Sequence, residues 1–191
     1  MTGTATNHYK AHRFRVADFH HVGEAGILPP DVRVELIEGE IVDMPPIGSR
    51  HAGTVTFLSY RLNEGIGRSA LLSVQNPVVL DDFNELQPDI AVLRRRDDFY
   101  ARSHPGPEDV LLLVEVAETT LPYDRDKKLP LYARAKVPEV WVVDVNRAAF
   151  HIFRDPEGDE YRDQRITIAP VTMTLAMLPD TVIDLSGFFD S

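Results

Sequence analysis

Cysteine is absent from all 191 residues. The chain therefore has no disulfide, no thiolate metal ligand and no cysteine nucleophile, which suits the cytoplasm, the location we expect. Long apolar runs are also missing, because those around Leu111 and Trp141 are far shorter than the roughly 18–20 residues that span a bilayer. The start of the chain lacks the apolar core of a signal peptide, so we expect neither secretion nor membrane insertion.

Basic residues are outnumbered, with 20 Lys and Arg against 30 Asp and Glu and a net charge of −10. A protein that coats nucleic acid gains its affinity mainly from many contacts of Lys and Arg with phosphates, so the composition argues against that class. An acidic protein can still act on nucleic acid if its carboxylates hold a divalent cation. Local basic groups such as Arg94–Arg96 would then contact the backbone, although such groups are more often solvated surface.

Several hydrolase and DNA-binding motifs are missing as well. The sequence contains no Gly-x-Ser-x-Gly elbow, no phosphate-binding loop and no His-Glu-x-x-His helix. It has no helix-turn-helix or zinc-finger pattern to recognise bases. The length predicts a single domain over residues 1–191, with a loose segment at residues 1–13.

Two apolar segments rich in β-branched residues, Gln87–Leu93 and Val110–Ala117, are predicted to form buried strands. Each contains one misplaced charge: Asp89 near the start of the first segment and Glu115 within the second. Burying an ionised carboxylate is costly unless the group is paired, hydrogen-bonded or bound to a metal. These two residues are therefore the first candidates for a functional site.

A helix is predicted to follow the second strand, with Lys128 on its apolar face. Lys128, Leu131 and Tyr132 fall at i, i+3 and i+4, which lie on one side of a helix. Pro130 is tolerated in a first helical turn, so we expect the helix to begin shortly before it. A cation is disfavoured near that end, which points to a chemical role for Lys128. The alternative is an ordinary i, i+4 ion pair with Asp124.

Another predicted helix also starts its apolar stripe with a polar side chain. Ser49 suits the N-cap of a helix that reaches about Asn63. His51 lies four residues before Val55 and therefore on the same face. A lone histidine there is more often a hydrogen-bonded structural residue than a functional one. His51, like Lys128, is a polar side chain at the start of an apolar helix face. This shared placement favours the functional interpretation.

Alternation of apolar and polar residues over Val32–Met44, interrupted by Glu38-Gly39, predicts a β-hairpin. Glu35 and Glu40 lie on its two strands, and either could face a site. Carboxylates on strand surfaces are ordinary, so the pattern does not choose between them.

A second hairpin is predicted between Leu71–Leu80 and Gln87–Leu93. Pro88 restricts the latter to a sheet edge or to the first residues of its strand. From Val110 to Val145, a strand, a helix and a strand form a crossover unit, which pairs its strands in parallel. We predict the α/β (α+β) class, with a mixed β-sheet and hairpins flanked by helices.

Two carboxylates on neighbouring strands with a lysine nearby suit phosphodiester hydrolysis by a divalent cation. Mg²⁺ prefers oxygen ligands and commonly binds one or two carboxylates together with substrate phosphate. The cation activates water and neutralises developing charge, while an ammonium group can position that water. In Glu115-Val116-Ala117 the first and third residues share a face. Because Ala117 stands at the third position, the lysine must come from elsewhere.

Pro88-Asp89 and Glu115 resemble the pattern of the PD-(D/E)XK nuclease superfamily, with the lysine moved to Lys128 on the following helix. At closer range, the order and spacing of six segments across roughly residues 14–189 resemble the Uma family of putative restriction endonucleases. The segments are Glu35–Glu40, Arg50-His51, Gln87-Pro88-Asp89, Val114–Val116, Asp124–Ala133 and Val137–Asp144. Where that family usually has Ser-Pro-Ser-Thr after the strand, this chain has Glu118-Thr119-Thr120-Leu121, which leaves the shape of that loop open.

The resemblance implies a restriction-endonuclease-like core and a defined site. The catalytic candidates are His51, Asp89, Glu115 and Lys128, and the supporting candidates are Gln87, Asp124, Glu35 and Glu40. Asp89, Glu115 and the backbone carbonyl of Val116 are the expected ligands of Mg²⁺ or Mn²⁺. Lys128 would orient the attacking water, and His51 would bond the phosphate or a water on the metal.

The sequence thus predicts an endodeoxyribonuclease. DNA is the expected partner, bound weakly without metal, and a homodimer is expected because cutting two strands needs two sites or a site change. The rival hypothesis is an inactive nuclease-fold protein that serves binding or assembly, favoured by the charge of −10. A saturable Mg²⁺ site that depends on Asp89 would separate the two.

Overall fold

The structure is a computed structural model that describes residues 11–29 and 31–188. Residues 1–10 of the predicted loose segment lie outside these ranges, and residues 11–13 form neither helix nor strand. The helices are α1 (Val16–Glu24), α2 (Ser49–Ile66), α3 (Leu121–Tyr123) and α4 (Leu129–Arg134), with a 3₁₀ turn at Pro107–Asp109 and a π-helical turn at Asp124–Lys128. The strands are β1 (Val34–Ile37), β2 (Glu40–Asp43), β3 (Leu71–Val74), β4 (Val78–Asp81), β5 (Asn84–Leu86), β6 (Ile90–Leu93), β7 (Val110–Ala117), β8 (Glu139–Asp144), β9 (Ala149–Glu157), β10 (Glu160–Ile168), β11 (Thr172–Leu175) and β12 (Leu178–Asp184).

The main sheet has six strands in the order β10-β9-β8-β7-β6-β3. Strands β7 and β8 run parallel, as the predicted crossover requires, and the other neighbours are antiparallel. A four-stranded sheet, β2-β1-β5-β4, and the β11-β12 hairpin complete the strands of the described residues. This mixed sheet with hairpins and flanking helices confirms the predicted fold class.

Each face of the main sheet is covered by a different layer. Val114 and Val116 of β7 pack against α2 and the β11-β12 hairpin. Leu113 and Ala117 point the other way, into a second apolar cluster with α4 and the four-stranded sheet. Glu115 lies between Leu113 and Ala117 in this alternation, so it faces the second layer. The strand parity inferred from the sequence therefore agrees with the structure.

The first predicted hairpin is formed by β1 and β2. Glu38 and Gly39 both have positive φ, at 50° and 79°, as a two-residue turn of type I′ requires. A Cβ atom on Gly39 would lie 2.6 Å from Cβ of Arg13, so glycine is needed there for space as well. This turn fixes the register of β1 and with it the position of Glu35.

The second predicted hairpin is wrong as a single unit. Its first arm breaks at Gln75, which has a positive φ of 52°, and continues as β4 in the other sheet. As a result β3 pairs with β6, whereas β4 pairs with β5. Pro88 was expected either on a sheet edge or at the start of its strand. It lies just before β6, and β6 has a neighbouring strand on both sides, so the second expectation is the correct one.

Candidate active site

A cavity of about 250 Å³ lies between the first turn of α2, the end of β7, the π-helical turn and the β1-β2 hairpin. Seven of the eight side chains predicted for the site line it. They are Glu35, His51, Gln87, Asp89, Glu115, Asp124 and Lys128. Val116, whose carbonyl was predicted as a metal ligand, lines it too.

Asp89 and Glu115 are brought together by the pairing of β6 with β7. Ile90 lies opposite Val114 in this antiparallel pair. If the register is extended by one residue, Asp89 lies opposite Glu115. Side chains in this relation share a face, with Cβ atoms about 4.5–5.5 Å apart. Both residues are buried. The two carboxylates that stood out in the sequence are therefore neighbours beside the cavity.

Three hydrogen bonds hold the Asp89 carboxylate. Oδ2 accepts from the Val116 N–H at 2.9 Å and lies 3.0 Å from Nε2 of His51. Oδ1 accepts from Nε2 of Gln75 at 3.2 Å. Burial raises the pKa of Asp89, but the bonds from His51, Val116 and Gln75 outweigh it and the pKa is lowered. The group is therefore an oriented, ionised carboxylate.

His51 is held between Asp89 and the protein interior. The hydrogen bond with Asp89 raises the pKa of His51, and partial burial only partly opposes it. Nε2 faces Asp89, while Nδ1 is buried without a hydrogen-bond partner among residues 11–29 and 31–188. With neither nitrogen directed at open space, the geometry favours a residue that orients Asp89 over one that touches substrate.

Lys128 reaches the cavity from the π-helical turn. The N–H of Leu129 bonds to the carbonyl of Asp124, five residues earlier, so this turn is one residue wider than an α-helical turn. Pro130 follows at once, and the wide turn accommodates its ring and its missing N–H. The α-helix α4 begins at Leu129, shortly before Pro130 as expected, but it continues helical structure that already starts at Leu121.

The Lys128 ammonium group is almost fully buried, with 6% of the side chain exposed. Nζ donates to Oε1 of Glu35 at 2.9 Å and to Oε1 of Glu115 at 3.3 Å. Burial alone lowers the pKa of Lys128, but the two carboxylates more than offset it and the pKa is raised. The alternative ion pair with Asp124 is not formed. The Asp124 carboxylate instead accepts from Oγ1 of Thr120 at 2.6 Å.

Glu115 is a deeply buried carboxylate of the cavity wall. Tyr132 donates its hydroxyl to Oε1 at 2.5 Å. Burial raises the pKa of Glu115 well above its ordinary value, Lys128 opposes this, and Asp124, Asp89 and Glu35 add to it. Burial likewise raises the pKa of Asp124. Four carboxylates facing one ammonium group form a site that can accept further positive charge.

Gln87 supports the site through its backbone. Its N–H donates to Oε1 of Glu35 at 2.8 Å, while its side chain reaches the carbonyl of Val34 at 3.4 Å. Glu40, the other candidate on the hairpin, does not line the cavity, so its predicted supporting role is wrong. It pairs with Ile37 directly beside the turn of the hairpin, and its side chain is exposed. Glu35 lies deeper along β1, which explains why only one of the two faces the cavity.

The sequence of this chain matches a known protein family. The family model Uma2, described as "Putative restriction endonuclease", matches residues 16–186, a range that contains every residue of the cavity wall. The chain belongs to the Uma2 family. The resemblance to the Uma family that the sequence indicated is thereby confirmed.

The Uma2 chain also shares its fold with a solved protein. A crystal structure of a putative nuclease of the DUF820 family from Anabaena variabilis superposes with a TM-score of 0.66 at 14% identity, covering 88% of this chain and 97% of the other. At that identity the likeness concerns the fold alone, which supports the predicted nuclease-like core. A search of curated proteins finds no significant match. None of the helices among the described residues combines the length and apolar character needed to cross a membrane.

Two residues of this Uma2 site were missed by sequence reasoning. Gln75 contacts Asp89 through its side chain and, at 3.0 Å, from its backbone N–H to the Asp89 carbonyl. This contact depends on the long-range pairing of β3 with β6, which no local pattern reveals. Tyr132 was detectable, because it lies at i+4 from Lys128 on the same predicted face.

The donor set of the Uma2 cavity fits Mg²⁺ or Mn²⁺. Asp89, Glu115 and the Val116 carbonyl offer oxygen ligands, the type these cations prefer. Within the described part of the chain, no three carboxylate or imidazole groups of this cavity come within 4.8 Å of one another. A closed protein cage is therefore not formed. Mg²⁺ rarely uses one, since it usually keeps several waters and binds one or two carboxylates.

Proposed function

We propose that this Uma2 protein is an endodeoxyribonuclease of the PD-(D/E)XK type that hydrolyses phosphodiester bonds with Mg²⁺ or Mn²⁺. The observation that carries the proposal is the convergence of Asp89, Glu115 and Lys128 in one cavity. They come from three different elements: the residue that precedes β6, the strand β7 and the π-helical turn. The family match supports the same class of activity.

Asp89, Glu115 and the carbonyl of Val116 would hold the cation. When bound, it supplies Lewis-acid activation of water and neutralises charge that develops on the phosphate. The surplus of carboxylates around Glu115 favours binding there, because a cation compensates charges that burial otherwise penalises. The protein's own part is to fix these oxygens in position.

Lys128 holds a positive charge beside Glu115, and Glu35 anchors it from the other side. A buried ammonium group can donate a hydrogen bond to the attacking water and stabilise negative charge in the transition state. Because Glu35 fixes its direction, little reorganisation is needed during reaction. Glu35 is thus a positioning residue in this proposal.

His51 and Gln75 orient Asp89, and Tyr132 orients Glu115. Each donates to, or shares a hydrogen bond with, a carboxylate oxygen at 2.5–3.2 Å. Partners that hold ligand groups in this way typically change metal affinity or activity roughly 10–100-fold when removed. These residues are therefore expected to act through the carboxylates and not on the substrate.

DNA is the proposed substrate, bound weakly without the cation. Arg33 lies on the cavity wall and can meet a phosphate, but Asp43 and Glu118 line the same wall and repel one. Cleavage of both strands would need two sites or a site change, so we retain the homodimer as a proposal. A binding or assembly module without catalysis is the second candidate. It is favoured by the ion pairs that already occupy Lys128.

A titration combined with a cleavage assay tests the proposal. Wild-type protein should bind Mg²⁺ or Mn²⁺ saturably and cut plasmid DNA, and Asp89→Asn or Glu115→Gln should lose both properties. Glu118→Gln, at the cavity wall but outside the ligand set, is the matched control and should keep both. Absence of a saturable site in folded wild-type protein would reject catalysis in favour of the binding module. Cleavage of RNA but not DNA would reject the substrate.

A further inference from the structure

A second cluster of metal-binding residue types lies outside the cavity. His20 of α1, Glu85 of β5 and His104 of the loop before the 3₁₀ turn bring one ligand atom each within 4.8 Å of one another. Glu85 pairs with Leu36, which packs under α1 and points away from the Glu35 side of the sheet. The cluster is thus on the opposite face of the four-stranded sheet from the nuclease cavity.

The Glu85 carboxylate lacks a permanent cation. It is 4% exposed, in the middle strand pair of its sheet. Among the described residues its side chain has one hydrogen-bond partner, Nε2 of His20 at 2.6 Å, and no Lys or Arg pairs with it. Buried carboxylates are normally matched by a cation or several donors. A single hydrogen bond with one imidazole provides only part of that compensation.

We propose that His20, Glu85 and His104 bind a Zn²⁺ ion. Two imidazole nitrogens and one carboxylate oxygen are the ligand set that Zn²⁺ uses where it keeps a fourth position for water. The same set is a poor match for Mg²⁺, which prefers oxygen. The chemistry therefore distinguishes this site from the nuclease cavity.

The present geometry is close to what Zn²⁺ requires. Zinc bonds of about 2.0–2.2 Å in a tetrahedron set ligand atoms about 3.4 Å apart. Nε2 of His20 lies 2.6 Å from Glu85, and the ligand atoms of all three residues lie within 4.8 Å of one another. Side-chain shifts of about an ångström would therefore bring the three ligand atoms to the separation that zinc requires. The ring of His104 is exposed and already meets that of His20 edge-on, with centroids 6.0 Å apart. Zinc would replace the proton now shared by His20 and Glu85.

A groove of about 430 Å³ gives access to the site. His20 and His104 form part of its wall, together with apolar residues that include Phe19, Leu28 and Val34. It allows the ion to enter and leaves room for water at the fourth position. The ligands would then join three chain segments that are distant in sequence.

Zinc would stabilise the attachment of α1. This helix buries only Phe19 of its nine residues, so its apolar contact with the sheet is small. An ion held by α1, β5 and the loop before the 3₁₀ turn adds a link that the unfolded chain lacks. The stabilisation grows with the logarithm of the zinc concentration above the dissociation constant.

The test uses full-length protein freed of metal with a chelator and titrated with Zn²⁺, with excess Mg²⁺ present to compete for the carboxylates of the nuclease cavity. Wild-type protein should bind one zinc that raises the melting temperature. His104→Ala should weaken binding by at least roughly 100-fold, since it removes a direct ligand and not merely an outer partner. His21→Ala is the matched control. His21 neighbours His20 but bonds to Glu24 on the surface, so its loss should change nothing.

His104→Ala is the decisive variant, because it leaves the His20–Glu85 bond intact and should fold normally. His20→Ala and Glu85→Gln should also lose zinc, and Asp89→Asn should keep it. If wild-type protein binds no zinc at micromolar concentrations, or if His104→Ala binds it as tightly as His21→Ala, the site does not exist. Neither result bears on DNA cleavage, so the two proposals fail separately.

Discussion

Oε1 of Glu35 lies 2.9 Å from Nζ of Lys128, and both side chains are almost fully buried. The pair connects the first hairpin to the π-helical turn. Lys128 is also 3.3 Å from Glu115, so a single ammonium group is shared between a positioning carboxylate and a proposed metal ligand. Because a buried charge depends strongly on its partners, this shared lysine makes the site sensitive to substitutions on the hairpin.

Glu35→Gln should lower the free energy of unfolding by about 1–3 kcal/mol, because it weakens a buried charge-assisted hydrogen bond. Urea denaturation measures the change. Glu40→Gln on the same hairpin is the control and should stay within about 0.5 kcal/mol of wild type, as exposed substitutions usually do. Equal effects of the two variants would contradict the positioning role of Glu35.

Lys128→Met should reduce DNA cleavage per folded molecule by about 10²-fold or more, as removal of one preorganised electrostatic donor typically does. It should also destabilise the protein by about 3–5 kcal/mol, because Glu35 and Glu115 lose their buried partner. The measurements are initial cleavage rates and the folded fraction in the same buffer. Lys127→Met, an exposed neighbour, should leave both unchanged. A fully active Lys128→Met protein would exclude the lysine from the mechanism.

His51→Ala should weaken Mn²⁺ binding by roughly 10–100-fold, because Asp89 loses the group that orients it. His51→Gln can still donate to Asp89 and should recover much of that affinity. Calorimetric titration of both variants separates the roles. If His51→Gln binds metal like wild type yet cuts no DNA, the histidine acts on the phosphate or on a water at the metal, as predicted from the sequence.

Tyr132→Phe should cost about 1.5–3 kcal/mol of unfolding free energy, since the hydroxyl donates to a carboxylate in the interior. The exposed Tyr123→Phe is its control and should have little effect. Chemical denaturation of the two variants provides the comparison. An unchanged Tyr132→Phe protein would show that Glu115 does not depend on this donor.

The proposed homodimer is tested by light scattering on protein eluting from a sizing column. A dimer mass at micromolar concentration, together with direct double-strand breaks in plasmid DNA, is the expected outcome. A monomer mass with nicked circles as the product would instead indicate one cut for each encounter.

The two carboxylates could be predicted as site residues because they are charged groups within apolar segments of the sequence. Asp89 and Glu115 stand in apolar segments, and the two-residue period of a strand fixes the face on which Glu115 lies. Glu38-Gly39 identified a turn because positive φ at both positions is a local requirement. Such features depend on a few adjacent residues, and sequence reasoning recovers them.

Features that depend on distant pairing were not recovered. The run from Leu71 to Leu80 looks continuous, yet its halves belong to different sheets because Gln75 turns the chain. The contact from Gln75 to Asp89 follows from that division. The helical residues from Leu121 to Lys127 were not predicted, because the wide turn that joins them to α4 has no recognisable local sequence pattern. Choosing Glu35 over Glu40 likewise needed the packing of the hairpin.

The π-helical turn before Leu129 also limits how this segment can change in length. A wide turn behaves as one extra residue inserted into a regular helix, so deleting a residue there would restore ordinary pitch. The residues on the two sides of the deletion would then rotate by about 100° relative to each other. Asp124 and Lys128 would lose their present relation, even though every amino acid at the cavity remained. In alignments of related chains, we expect a one-residue gap at this turn. A lysine aligned one position away from Lys128 would then serve the same function as Lys128.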